Sequence, residues 1–392
     1  MKVGFLGNGL NLLSGSAKPL FGLMASLESR NYQCQMLSSK LPRGLENINS
    51  SLAVKNNCGK LNIKRECDDV VEALFKRNLD TLSEVKCLCD DSDLLICTDF
   101  LLPWLLKRNH FDPEIPLVFI ASNNMKLKLG YLAKSGPESF LNLLKPSFLS
   151  KLVLPSYFYQ TALSKFDHII ATSHFVKKSF EEMNVSSPVT VLPVGVTVPN
   201  DIEECDCLEG YFSFFGWGSG IRGLQDVLSA FEVYRGNGGS SELKLFLQGH
   251  HGPEELLYVK RIGRLKSKRH IDLQFFNPDI NKFISSSKAV ILPFRVPFGY
   301  SQPPLTVLES MALGRVVIST DVGSIPEIIL DGQNGFLVPP SAPERISEVL
   351  LSLDERTVSK IGKSALETVK NQFEWRIVCE KYIDAFNVIQ GD

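Results

Sequence analysis

Short apolar runs alternate with helix-length amphipathic segments along most of the chain, and this alternation restricts the fold more than any other feature of the sequence. A continuous apolar run is typical of a strand that is covered on both faces, and a helix between two such strands connects them in parallel. The pattern predicts open α/β sheets made of βαβ units. The predicted strands are 2–7, 33–38, 93–99, 116–122, 168–173, 189–195, 211–216, 243–249, 271–276, 288–294, 315–320 and 335–338.

The chain is too long for one such sheet and one core, since it has 392 residues. An acidic, turn-rich passage at 194–210 separates two series of strands. We therefore predict a first domain over 1–198 and a second domain that begins at 199. Ligands of open α/β sheets bind beyond the carboxyl ends of the strands, so the cleft between two such domains is the expected site of chemistry.

Composition indicates an ordinary globular protein: 44% of residues are hydrophobic, 22% are charged and the formal net charge is −1. Such a balance gives no overall attraction to nucleic acid, and we expect none as a partner. The nine cysteines are an odd number and form no Cys-x-x-Cys pair, which is typical of a reducing compartment, so we expect a cytoplasmic location. We interpret residues 1–18 as a first strand and its loop rather than a signal peptide.

The segment 294–314, FRVPFGYSQPPLTVLESMALG, predicts a helix from about 304 to 313 that begins at a proline and stops at Gly314. The free N–H groups near Leu305 and Thr306 suit a phosphate. Glu309 lies one turn further along. Two interpretations of this carboxylate remain open at this point: it accepts hydrogen bonds from a ribose diol, or it only favours the helix dipole or pairs with a lysine.

A second candidate phosphate site lies in the segment 214–231, FFGWGSGIRGLQDVLSAF, which reads as a strand, a glycine-rich loop and a helix. Glycines such as Gly218 let backbone N–H groups approach an anion, and Arg222 at the end of the loop supplies a cation.

The stretch 288–340, centred on LTVLESMALGRVVISTDVGSIPEIILDGQNGFLV, resembles the C-terminal donor domain of GT-B glycosyltransferases of the family 4 type, the glycosyl transferases group 1. The segments 166–180, 189–196 and 214–231 support this resemblance. It covers roughly 165–386, whereas over 1–160 it depends on the alternation of strands and helices.

The resemblance implies a GT-B fold, in which two doubly wound parallel-sheet, Rossmann-like domains face a cleft. The donor domain then covers 199–370. The segment 371–392 resembles the closing helix of that fold, which crosses back onto the N-terminal domain.

The resemblance also assigns donor-binding roles. Glu309 corresponds to the second glutamate of the family's Glu-x7-Glu motif, which binds the nucleotide ribose. Arg222 stands at the position of a diphosphate-binding lysine, and Gly323 matches a glycine in a strand-to-helix turn. Gly15 and Ser16 lie in the first βα loop, where the family brings backbone near the diphosphate and acceptor.

Three positions depart from the family pattern. Ser301 stands where the motif has its first glutamate, Trp217 where a second phosphate-binding cation is common, and Ser122 where many members have a histidine. The missing glutamate and histidine orient or polarise the transferred sugar. We therefore expect Ser301, with Gln302 or Arg295, to take over such contacts, and we group Ser122 and Ser301 with Arg222 as catalytic candidates.

The implied reaction moves a sugar from a nucleotide diphosphate sugar to a hydroxyl acceptor, a glycan, a lipid-linked molecule or a small molecule, with retention at the anomeric carbon. The donor is a co-substrate, and neither a metal nor another cofactor is expected. The three departures support an alternative, a catalytically impaired GT-B protein that binds a nucleotide and acts as a regulatory or partner subunit. A nucleotide-sugar epimerase is a third and weaker interpretation.

Two further features have alternative interpretations. The segment 126–159 is apolar and rich in lysine; we expect packed helices with outward-pointing lysines, and the alternative is peripheral contact with the inner face of a membrane. His250 and His251 follow a predicted strand, and an exposed turn is favoured over contact with a nucleotide base.

Overall fold

The computed structural model describes residues 1–7, 17–38, 62–64, 79–123, 156–200, 210–247, 253–275, 279–300 and 302–391. These residues form two compact units. The N-terminal unit contains the described residues up to Gly195 and the segment from Trp375 onward, and the C-terminal unit is Val196–Glu374. The predicted limits of the second domain were 199 and 370.

The N-terminal unit has a seven-stranded sheet with strand order β3-β2-β1-β4-β5-β6-β7. Every pair of neighbouring strands is parallel. The strands are β1 Lys2–Gly7, β2 Gln33–Ser38, β3 Asn62–Lys64, β4 Leu94–Cys97, β5 Leu117–Ala121, β6 His168–Ala171 and β7 Val189–Val191. The described helices up to Gly195 are α1 Ala17–Glu28, α2 Leu79–Asp90, α3 Leu102–Arg108, α4 Ser156–Leu163 and α5 His174–Glu182.

The C-terminal unit has a six-stranded parallel sheet with strand order β10-β9-β8-β11-β12-β13. The direction of winding reverses between the neighbouring strands β8 and β11. The strands are β8 Tyr211–Gly216, β9 Leu243–Leu247, β10 Ile271–Gln274, β11 Ser287–Leu292, β12 Val316–Thr320 and β13 Phe336–Val338. The described helices are α6 Leu224–Gly236, α7 Pro253–Ile262, α8 Ile280–Ser285, α9 Leu305–Ala312, α10 Pro343–Ser352 and α11 Glu355–Gln372.

The last helix, α12 Trp375–Gln390, completes one face of the N-terminal core. Side chains alternate along β1: Val3 and Phe5 pack toward α1 and α12, while Leu6 packs into the core on the other face of the sheet. Two side chains of α12, Val378 and Phe386, are fully buried in the core that Val3 and Phe5 share with α1.

Trp375, at the start of α12, lies against two glycines of the N-terminal unit. A Cβ atom on Gly22 of α1, or on Gly195, would lie only 2.3 Å from atoms of the Trp375 indole. Both positions need a glycine because the ring occupies the space that a side chain would fill.

The predicted fold class is confirmed: both units are doubly wound α/β structures with parallel sheets. In the described part of the chain, no helix combines the length and the apolar character that a membrane crossing requires.

Candidate functional site

Three loops meet at one edge of the C-terminal sheet. They follow β8, β11 and β12, which are adjacent strands, and parallel strands end at the same edge. The reversal of winding between β8 and β11 also lies here, which is the usual ligand position in an open α/β sheet. The described residues of these loops are 217–223, 293–300 with 302–304, and 321–324.

Arg222 ends the short 3₁₀ turn Gly220–Arg222 behind β8. Its guanidinium lies over the ring of Phe294, with 5.6 Å from Cζ to the ring centroid. The residue as a whole keeps some solvent exposure, but Nη1 is fully buried and has no hydrogen-bond partner among the described residues. A buried donor of this kind is costly unless a ligand satisfies it.

Burial also affects the charge of this group. It lowers the pKa of Arg222 to about 10, although the neighbouring Tyr300 phenol acts in the opposite direction. A pKa of about 10 leaves the guanidinium protonated at neutral pH. The site therefore presents a positive charge whose Nη1 has no hydrogen-bond partner among the described residues.

Close backbone contacts hold the Arg222 turn against the loop behind β11. Gly223 has φ +71°, and a Cβ atom there would lie 2.0 Å from the carbonyl oxygen of Pro293. The N–H of Arg295 donates to the carbonyl of Ile221 at 2.9 Å. Glycine is required at 223 for both its positive φ and this close approach.

Arg295, which the sequence suggested as a contact for the sugar, forms an ion pair with Asp226. Its Nε donates to Asp226 Oδ2 at 2.7 Å and its Nη2 to Asp226 Oδ1 at 2.5 Å. Both side chains are largely buried, with exposed fractions of 15% and 5%. This two-point ion pair joins the loop to the first turn of α6 and engages Nε and Nη2 of the guanidinium.

Helix α9 begins at Leu305, one residue later than predicted, and ends with a glycine motif. The N–H groups of Val307 and Leu308 donate to Pro304 O, at 3.0 and 3.4 Å, while those of Leu305 and Thr306 precede the helical ladder. At the other end Gly314 has φ +67°, and the N–H groups of Gly314 and Arg315 bond to Met311 and Ser310 carbonyls.

The first turn of α9 offers a further polar atom. Thr306 Oγ1 is buried without a hydrogen-bond partner in the described part of the chain, and no side chain caps the helix. The N-terminus therefore combines free N–H groups with an unsatisfied hydroxyl. Glu309, one turn further along the helix, is half-buried.

The loop behind β12 is fixed by Gln302. Gln302 is fully buried, and its Oε1 accepts hydrogen bonds from Ser324 N at 2.9 Å and Ser324 Oγ at 2.8 Å. Gly323 has φ +63°, and a Cβ atom there would lie 2.5 Å from Gln302 Oε1. The Gln302–Pro303 peptide bond is cis. Gln302 thus connects two loops, and its side-chain Oε1 already accepts two hydrogen bonds from Ser324.

The remaining predicted residues fall in three groups. Gly218 lies in the same loop as Arg222, next to Trp217, of which 47% is exposed. Ser122 follows β5 and belongs to the N-terminal unit. Gly15, Ser16 and Ser301 lie outside the described residues, as do His250, His251 and positions 126–155.

Sequence reasoning missed the aromatic support of Arg222. The Phe294 and Tyr300 ring centroids lie 4.3 Å apart with the ring planes tilted by 34°, and Phe294 also lies against the guanidinium. The available signal was the aromatic content of the same loop, PFRVPFGY. Within the described ranges, no three His, Cys, Asp or Glu side chains are grouped to hold a metal ion.

Comparisons with solved structures identify the fold. The chain superposes on Anabaena HepE, solved in complex with UDP and glucose, with a TM-score of 0.74, 13% sequence identity and 99% of each chain covered. A glycosyltransferase from Rickettsia africae gives a TM-score of 0.69 at 15% identity, with 99% of this chain and 98% of the other covered. At these identities the likeness is one of fold, and the fold is GT-B.

The sequence of the C-terminal unit is similar to a known family. Residues 211–355, less than half of the chain, match the family model of the glycosyl transferases group 1. This segment contains Arg222, Glu309 and Gly323.

Curated relatives match over part of their length. The chain is 31% identical to a trehalose synthase of Pyrococcus horikoshii over 179 residues, which are 43% of this chain and 42% of that protein. It is 26% identical to an uncharacterized glycosyltransferase of Methanocaldococcus jannaschii over 223 residues, which are 56% of this chain and 59% of that protein. The chain thus spans about half the length of these two relatives.

Proposed function

We propose that this protein is a glycosyltransferase that moves a sugar from a nucleotide diphosphate sugar to a hydroxyl acceptor, with retention at the anomeric carbon. The observation that carries the proposal is the buried, charged guanidinium of Arg222, whose Nη1 has no partner among the described residues at the carboxyl edge of the donor domain. The glycosyl transferases group 1 match over 211–355 and the GT-B fold support it.

The proposed chemistry depends on charge. When the bond between the sugar and the diphosphate breaks, its electron pair stays on the departing phosphate oxygen. Arg222, the N–H groups of Leu305 and Thr306, and Thr306 Oγ1 are donors available to stabilise that charge. The acceptor hydroxyl attacks from the same face and passes its proton to the departing diphosphate. One well-placed donor contributes roughly 3–4 kcal/mol to lowering such a barrier.

The other predicted contacts keep their roles in this proposal. Glu309 accepts hydrogen bonds from the ribose diol, and Gly218, Gly323, Gly15 and Ser16 bring backbone near the diphosphate and acceptor. Ser122 and Ser301 contact the transferred sugar. The reaction is proposed to need neither a metal nor another cofactor, so full activity is expected in the presence of a chelator, and the protein is expected in the cytoplasm.

The test begins with a thermal-shift screen of UDP-, GDP- and ADP-sugars, followed by titration and donor hydrolysis with the donor that binds. We expect Arg222→Met to weaken donor binding about 10- to 100-fold, because it removes a charge-assisted contact. It should also lower turnover by roughly 100-fold or more. Arg222→Lys keeps the charge and should recover part of both.

The matched control is Arg356→Met, which removes an exposed arginine of α11 and should leave donor binding unchanged. Thermal unfolding of each variant without donor separates loss of the site from loss of the fold. Donor binding of wild-type strength in a folded Arg222→Met variant contradicts the proposal.

Glu309→Ala tests the ribose contact. We expect weaker binding of the nucleotide diphosphate and of the nucleotide sugar alike, because both carry the ribose, whereas inorganic diphosphate should bind as before. Equal binding of the nucleotide to the wild type and to Glu309→Ala contradicts the assignment of Glu309 as the ribose contact. Donor binding without hydrolysis or transfer to any acceptor favours the regulatory alternative.

A further inference from the structure

Helix α7 and the turn behind it form a strongly basic surface on the C-terminal unit. Between positions 256 and 271 the sequence LLYVKRIGRLKSKRHI contains no acidic residue. Five of its cations are exposed, and together with the exposed leucines of α7 we call them the α7 basic surface. Its residues are Leu256, Leu257, Lys260, Arg264, Lys266, Lys268 and Arg269.

Apolar and cationic side chains share one side of this helix. Leu257, Lys260 and Arg264 follow a spacing of three and four residues, which places them in line along the helix and its C-terminal continuation. Tyr258 and Ile262 are buried on the opposite side. Leu256 and Leu257 are 53% and 47% exposed, so two large apolar side chains border the positive charges on the open side.

Among the described residues, none of the five cations of this surface forms a salt bridge. Glu232 lies beside the turn, but its carboxylate accepts hydrogen bonds from the backbone of Lys266, at 3.3 Å, and Ser267, at 2.8 Å. That acid fixes the turn, and of the cations of this surface Lys266 lies near enough to interact with its charge.

We propose that the α7 basic surface docks the protein on an anionic lipid bilayer. Lysine and arginine are attracted to anionic headgroups, and each such charge near the surface strengthens binding by about five-fold. The exposed leucines favour a lipid over a nucleic acid, since they can enter the boundary between headgroups and acyl chains, and a polyanion offers no such environment.

Docking in this way leaves the candidate site uncovered. Helix α7 connects the carboxyl end of β9 to the amino end of β10, and the turn Lys268–His270 directly precedes β10. The most basic part of the surface thus lies at the sheet edge opposite to Arg222 and the start of α9. The inference does not depend on the proposed transfer reaction, and it concerns a different part of the chain from 126–159.

The test is sedimentation of the purified full-length chain with vesicles. Vesicles of phosphatidylcholine with about 40% phosphatidylglycerol should bind the protein, and pure phosphatidylcholine should bind it far less. The triple variant Arg264→Gln, Lys268→Gln and Arg269→Gln should lower the partition coefficient about 100-fold, at five-fold for each charge. The double variant Leu256→Ser and Leu257→Ser should weaken binding several-fold without changing its salt dependence.

The matched control removes three exposed lysines of α11, Lys360, Lys363 and Lys370, by the same substitution to glutamine, and should bind as the wild type does. Circular dichroism verifies that each variant is folded. Absence of binding to anionic vesicles, or binding that the triple variant retains, overturns the proposal. Binding of single-stranded RNA that depends on the triple site, with no binding to vesicles, overturns it in favour of a nucleic acid.

Discussion

Arg222 and Arg295 are two arginines in interacting loops of the C-terminal unit, and their environments give them different roles. Arg295 has a buried carboxylate, Asp226, at two hydrogen-bond distances. Arg222 has aromatic neighbours and a buried Nη1 without a partner among the described residues. An ion pair that is already formed contributes to structure, whereas an unsatisfied buried charge is typical of a site that binds an anion.

The conformation of Gly223 determines where Arg222 lies. The need for glycine at this position can be tested by substitution. Gly223→Ala should lower the free energy of unfolding by about 2–4 kcal/mol, because it adds both a positive-φ penalty and a clash with Pro293 O. The control is Gly238→Ala: φ is +86° there, but a Cβ atom would meet nothing within 4 Å. It should cost only about 1–2 kcal/mol. Urea unfolding of both variants measures the difference, and equal costs would mean that the Pro293 contact is unimportant.

Strands β6 and β7 are joined by a side-chain contact as well as by their backbone pairing. His168 Nε2 lies 2.8 Å from Thr190 Oγ1 on the neighbouring strand. Burial lowers the pKa of His168, because a desolvated imidazole resists protonation. The unfolded chain therefore takes up a proton on this residue more readily than the folded chain does.

This difference predicts a pH dependence of stability. The contribution of His168 is fully present above its ordinary pKa of about 6.5 and is lost as pH falls through that value toward the lowered pKa. His168→Gln should reduce the fall in melting temperature between about pH 7 and pH 5. The exposed His174 serves as a control, and His174→Gln should keep the wild-type dependence. Identical profiles for the wild type and His168→Gln would contradict this account.

Elements with a strong apolar signal were predictable from the sequence, and those that depend on distant contacts were not. Strand β8 is found at the predicted limits, and α9 begins within one residue of its predicted start, since a proline and a glycine determine its ends. Strand β3, Asn62–Lys64, was missed because three residues with one apolar side chain do not form the continuous apolar run by which strands were predicted. The ion pair of Arg295 with Asp226 was missed because its partners are 69 residues apart.

At the scale of the whole molecule, the chain leaves the N-terminal unit at Gly195 and returns to it at Trp375. The two crossing segments are adjacent: Val196 N donates to Phe373 O at 2.8 Å, and Val196 pairs with Glu374. The C-terminal unit is thus inserted into the N-terminal one. The buried side chains of α12 belong to the core of the N-terminal unit, although they lie at the far end of the sequence.

The contribution of α12 can be measured through Trp375. Trp375→Ala should lower the free energy of unfolding by about 3 kcal/mol, because it leaves a space against Gly22 and Gly195 that no side chain fills. Trp104→Ala, at a tryptophan that is 37% exposed, should cost less than Trp375→Ala. Hydrogen exchange should rise in α1 and β1 of the Trp375 variant while α9 keeps its protection. Unchanged exchange in α1 would contradict this role.

The insertion also determines the order in which the units can form during translation. Domains usually fold in the order of synthesis, with the N-terminal one first. Here the ribosome completes Val196–Glu374 before it begins α12, so the C-terminal unit can close while one face of the first sheet still lacks its covering helix. Until α12 emerges, apolar side chains of β1 and α1 remain open to chaperones and to other nascent chains. For this protein the first unit encoded is the last that can be completed.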